Sequence, residues 1–110
     1  MNKMFRNLTP HPIVVRTSEG DKIFPPEGMV PRVKMSTISL GMVDGIEFRH
    51  TQYGEVEGLP EFEVGTFLIV SGMIKDRFPD SRSDLVSPDT GPTAIRDESG
   101  RIVAVTGFRN

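Results

Sequence analysis

The chain has 110 residues, 36% hydrophobic content and a formal net charge of −2, which suits one domain over residues 1–110 around one thin core. The absence of cysteine excludes a disulfide scaffold and a thiolate metal site. The 13 basic and 15 acidic residues are interspersed, so duplex nucleic acid is not an expected partner. The longest apolar stretch, TFLIVSGMI at 66–74, is too short to span a membrane, and MNKMFRN at the start lacks the apolar middle of a signal peptide; a soluble cytoplasmic protein with no membrane partner is expected.

The 11 glycines and 9 prolines favour short elements joined by tight turns. PIVVRT at 12–17 is a β-branched run; SEGD at 18–21 turns the chain, and KIF at 22–24 returns, predicting a hairpin with a four-residue loop. PPEG at 25–28 breaks the pattern, and VPRVKM at 30–35 resumes a strand. In ISLGMVDGIEFRHT at 38–51, Asp44-Gly45 predicts a type I′ hairpin turn, because both central residues need positive φ. Ile46, Phe48 and His50 alternate with Glu47, Arg49 and Thr51, so the first set is expected to face inward. EVEGLPEFEVG at 55–65 reads as a short strand running into a loop, and TFLIVS at 66–71 as the central strand. GMIKDRF at 72–78 is the one predicted helix, with Ser71 as its N-cap, Met73, Ile74 and Phe78 at helical spacing, and Pro79 as its stop. Residues 79–92 read as a long polar loop, and 93–108 as a closing hairpin around ESGR. The expected fold is all-β and mainly antiparallel, a small sandwich or barrel of about seven to nine short strands with one short helix near 72–78.

Catalytic signatures are thin. Asp89-Thr90-Gly91 matches the tripeptide of dimeric aspartic proteases, which need two aspartates sharing a proton. Here it lies between Pro88 and Pro92 in a polar segment rather than after an apolar strand, which favours turn chemistry. The two histidines, His11 and His50, have no metal-ligand spacing, and Ser71 lacks the rest of a nucleophile elbow. No catalytic residue, metal or cofactor is assigned, and a binder is favoured over an enzyme.

Two polar clusters remain. In NLTPHP at 7–12, prolines on both sides of His11 restrict the backbone, so its imidazole is either preorganised for a ligand or tied to a backbone carbonyl at the mouth of a strand. In PDSRSDL at 79–85, Arg82 and Asp84 share a side if the chain is extended. Asp84 then either orients the guanidinium as an anion fork or simply pins the loop.

NLTPHPIVV, PPEGMVPRV, YGEVEGLPEFEVGTFLIVSGMI, SRSDLVSPDTGP and RDESGRIVAV, spread from Asn7 to Phe108, together carry a likeness. The set L-T-P-H, G-L-P, G-T, I-V-S, R-x-D-L and R-D-x-x-G-R-I resembles a family of small proteins encoded by tailed phages and by bacteria carrying prophages. The resemblance implies a phage-type accessory origin and a host-cytoplasm location; it brings no mechanism with it. Where the family pattern often has a second proline and an aromatic residue after G-L-P, this chain has Phe62 and Phe67, so the shape of a pocket does not transfer.

The first expectation is a binder of a small anionic, nucleotide-like ligand, for example one that sequesters a host defence signal. His11 would supply a donor, Arg82 held by Asp84 a phosphate clamp, Tyr53 a stacking face, and Arg16 or Arg96 further charge. The alternative is a protein-interaction or structural module, pairing a strand edge or an apolar face with its own copy in a homo-oligomer or with a host or phage protein.

Overall fold

The computed structural model describes residues 4–78 and 81–110. The predicted helix stop, Pro79, and the first two residues of the 79–85 cluster lie outside the described residues, as do the first three of the chain.

Over the described residues the fold is mostly β, with one short helix and no closed barrel. Its centre is a four-stranded sheet made of β1 (Met4–Asn7), β6 (Thr66–Ile69), β7 (Leu85–Pro88) and β10 (Phe108–Arg109), in the order β1-β6-β7-β10. β1, β6 and β7 run parallel and β10 closes the row antiparallel, so the centre departs from the antiparallel expectation. The other sheets are antiparallel pairs: β2 (Ile13–Thr17) with β3 (Gly20–Phe24), β4 (Arg32–Val43) with β5 (Ile46–Glu57), and β8 (Ile95–Arg96) with β9 (Ile102–Ala104).

Register divides the central sheet into two faces. Leu8, Leu68, Val70 and Leu85 form one core cluster with Ile74 of α1 (Gly72–Asp76), and Val33, Val56, Leu59 and Phe78 pack on it. Val33 pairs with Val56, so the inner end of the β4–β5 hairpin is rooted in this cluster. Phe5 and Phe67, paired across β1 and β6, lie on the other face. Phe5 packs there against Phe67, Phe24 and Phe108 at 5.4, 5.5 and 5.3 Å between ring centroids.

Local chemistry explains most element boundaries. Thr17 pairs directly with Gly20, whose φ is +113°, so the first hairpin closes on two residues rather than four. The predicted Asp44-Gly45 turn is present, with φ of +54° and +77°. Ser71 caps α1, its Oγ accepting from the Ile74 amide at 3.4 Å. Ile74 is buried and Phe78 half-buried, but Met73 is exposed, because a helix of little more than one turn presents only one side to the sheet. Asp97 Oδ1 accepts from the Ser99 amide and hydroxyl and from the Arg101 amide, closing the last turn; these bonds, led by the Ser99 hydroxyl, hold its carboxyl below the ordinary aspartate pKa. β7 lies inside the stretch that reads as loop. LVSP is only four residues long, but Leu85, Val86 and Ser87 are all buried beside β6.

The largest departure from expectation is the β4–β5 hairpin. Each strand has 12 residues, so the predicted hairpin at 38–51 and the separate strand near 55 are one continuous ribbon. The Cα radius of gyration is 17.3 Å and the molecule measures 57 × 39 × 25 Å. A compact chain of this length would have a radius near 13 Å. The excess comes from the ribbon, an arm about 40 Å long by strand rise.

Candidate functional site

Asn7 is the centre of the NLTPHP cluster. Its side chain is 2% exposed in residue terms, and every polar position on it is used. Nδ2 donates to the His11 carbonyl at 2.9 Å and to the Phe24 carbonyl at 2.7 Å. Oδ1 accepts from the Thr9 amide at 2.9 Å and the Thr9 hydroxyl at 2.6 Å. The single Thr9 hydroxyl hydrogen is shared between Asn7 Oδ1 and the His11 carbonyl, 3.0 Å away. What this network holds is therefore the backbone of His11; the residue itself is exposed. Pro12 sets φ on one side of the carbonyl that Asn7 and Thr9 grip and restricts ψ of His11 on the other.

Arg82 and Asp84 form a two-pronged ion pair, Nε to Oδ1 and Nη2 to Oδ2, both at 2.9 Å. Nη2 also donates to the Pro60 carbonyl at 2.8 Å. The side chains are 18% and 3% exposed. Hydrogen bonding to Asp84 raises the Arg82 pKa, against the lowering effect of burial. The pair thus ties the start of β7 to the G-L-P segment, 22 residues earlier.

Register separates the two clusters. His11 lies beyond the C-terminal end of β1, and Arg82 lies before the N-terminal end of β7. Because β1, β6 and β7 are parallel, these are opposite ends of the sheet. The other two arginines of the expected ligand set also have partners within the chain. Arg16 forks onto Asp21, opposite it in the first hairpin, at 2.9 and 3.2 Å. Arg96 Nη1 donates to the Gly100 carbonyl at 2.9 Å. Asp89 Oδ1 accepts from the Gly91 amide at 3.1 Å, the turn chemistry expected of Asp-Thr-Gly.

Tyr53 is placed differently. It lies within β5, is 46% exposed and lines two neighbouring grooves at the root of the arm. The larger, about 570 Å³, is completed by Gly72, Met73, Asp76 and Arg77, and the smaller, about 370 Å³, by residues of β4 and β5. Arg77, which sequence reasoning did not single out, caps the edge of the arm, its Nη2 donating to the Gly54 carbonyl at 3.1 Å and the Tyr53 carbonyl at 3.4 Å. As the residue after a five-residue helix, it carried no signal in the sequence.

The arm is the second feature the sequence half revealed. Its register pairs Val43 with Ile46, Gly41 with Phe48 and Ile38 with His50, so these six residues lie on one face. Leu40 sits beside them at the bulge between Ser39 and Gly41. The alternation is the one the sequence predicts, but this face is not inward. Ile38, Leu40, Val43, Ile46 and Phe48 are 43–66% exposed, and His50 is exposed with them. Among the described residues, no other element lies over this part of the arm to supply a core.

Among the described residues, no three His, Cys, Asp or Glu side chains are grouped to hold a metal ion, and no helix is long and apolar enough to cross a membrane. In comparisons with known proteins, no family model, no curated protein and no solved structure matches the chain.

Proposed function

We propose that this chain is a protein-interaction and structural module that works as an assembly of its own copies, joined through the β4–β5 arm. The observation that carries this reading is the uncovered apolar face of Ile38, Val43, Ile46 and Phe48 on a two-stranded ribbon. A lone two-stranded hairpin is at best marginally stable in water; it needs further strands or a covering layer. The sequence writes the arm as a half-buried hairpin, and among the described residues it is buried only at its root. A second copy supplies a surface of the same character.

The native mass tests it. Light scattering after size exclusion should give a multiple of 12.2 kDa at micromolar concentration, and the double substitution Ile38→Lys, Phe48→Glu should lower that mass with its circular dichroism intact. A wild type that stays at 12.2 kDa throughout, or a double variant with unchanged mass, rejects the reading.

A second reading, a small anionic nucleotide-like ligand, is supported by the root of the arm rather than by His11 and Arg82. There the exposed Tyr53 ring and the Arg77 guanidinium border one groove, offering a stacking face and a cation; Asp76 on the same rim suits a ligand that also carries a donor. Millimolar adenine nucleotides should raise the melting temperature of the wild type by several degrees and that of Tyr53→Leu by much less. Equal shifts in both proteins, or none in either, would remove it.

A further inference from the structure

We infer that two copies join edge to edge through β4, antiparallel about a two-fold axis near Ser39, to make one sheet in the order β5-β4-β4-β5. This rests on the arm-mediated assembly proposed above and specifies its geometry.

The two edges of the arm differ. Near the root, the β5 side is capped by Arg77, and the strand carries Glu47, Arg49, Glu55 and Glu57. From Met35 to Val43, MSTISLGMV, β4 has neither a charged residue nor a proline, and among the described residues its only ladder partner is β5. Free edges in monomeric sheets are normally blunted by charge or proline, because their unpaired N–H and C=O groups template further strands. An uncharged edge beside a charged one marks the side on which a strand is to be added. The bulge after Ser39 shifts the side-chain alternation along that edge by one residue, so an axis between Ser39 and Leu40 sets the inner segment, 35–38, of each copy against the outer segment, 41–44, of the other with their faces matched.

Charge selects this direction of pairing. Asp44 is the only charged residue of the turn at the tip, and its carboxylate has no ion pair or hydrogen bond among the described residues. Arg32 and Lys34 lie at the root. Antiparallel pairing brings each Asp44 to the partner's Lys34, whereas parallel pairing sets Asp44 against its own copy. Lys34 already meets Glu57 at 3.1 Å on the surface, and its ammonium has further N–H groups for a second carboxylate.

The same axis explains the apolar face. It stands perpendicular to the sheet, so both copies turn Ile38, Val43, Ile46 and Phe48 to the same side. The patch doubles in width and becomes one wall of a sheet sandwich. Stacking two such sheets at about 10 Å buries it and gives a tetramer with two-fold symmetries.

The chain has no cysteine, so single-cysteine variants report the geometry directly. Beside the axis the two copies of Ser39 are one position from directly opposed, with Cα atoms about 6 Å apart, within disulfide range. Ser39→Cys should oxidise rapidly to a covalent dimer. Thr51→Cys, on β5 of the same arm, should remain mostly monomeric on denaturing gels, and Asp44→Asn should weaken association about five-fold at low salt. If Ser39→Cys does not cross-link while the native mass stays a multiple of 12.2 kDa, or if Thr51→Cys cross-links equally fast, the edge pairing is wrong and assembly through the arm stands. A wild type at 12.2 kDa overturns both proposals.

Discussion

Replacing Asn7 with alanine is expected to destabilise the fold by about 3 kcal/mol, lowering the melting temperature by roughly 10–20 °C. Four hydrogen bonds end on this side chain, and the residue is almost fully buried. A typical bond contributes only about 1 kcal/mol net, but stranding a buried donor costs about 1–3 kcal/mol more. The Thr9 amide is that donor, since Asn7 Oδ1 is the acceptor it reaches. Asn7→Asp should fare little better: it keeps the acceptor but aims a carboxylate oxygen at the His11 and Phe24 carbonyls. His11→Ala, by contrast, should change stability by no more than about 0.5 kcal/mol, because the network holds the carbonyl of His11 and leaves the residue exposed. Urea denaturation of the three variants separates these outcomes. An alanine variant within about 0.5 kcal/mol of wild type would show that the Asn7 network does not hold the strand mouth.

Removing the Arg82 side chain should be at least as damaging. In Arg82→Met, Asp84 stays buried and loses both of its guanidinium bonds, while the Pro60 carbonyl loses its donor. Breaking a buried pair from one side typically costs about 3–5 kcal/mol, since the remaining charge has neither water nor partner. The double variant Arg82→Met, Asp84→Leu should recover much of that loss, because the unpaired charge is gone and the site becomes apolar. The measurement is a double-mutant cycle in urea; coupling below about 0.5 kcal/mol between the two positions would contradict the pinning role. An anion-clamping role predicts a different pattern, in which ligand affinity falls and stability does not.

These two residues show how far the sequence reaches. NLTPHP and R-x-D-L stand out in it as polar clusters with restricted backbones, and both are ordered in the fold. Their alternative uses, ligand contact or internal pin, were not separable from spacing. Asn7 bonds to Phe24, 17 residues away, and Arg82 to Pro60, 22 residues away. Arg77 gave no signal at all, because its position beside the arm follows from where a short helix docks on the central sheet.

The sequence by itself determined the local features: the turn at Asp44-Gly45, the Ser71 cap, the break at residues 25–28 and the alternation of Ile46, Phe48 and His50. Each depends on φ preferences, hydrogen bonds within a few residues, or the two-residue period of a strand, and all of these act at short range. Tertiary structure alone decided that the central strands are parallel, that His11 and Arg82 lie at opposite ends of the sheet, and that the alternating face of the arm meets no core among the described residues. Periodicity marks which side chains share a face; what covers that face depends on surfaces brought from elsewhere in the chain, or from another copy of it.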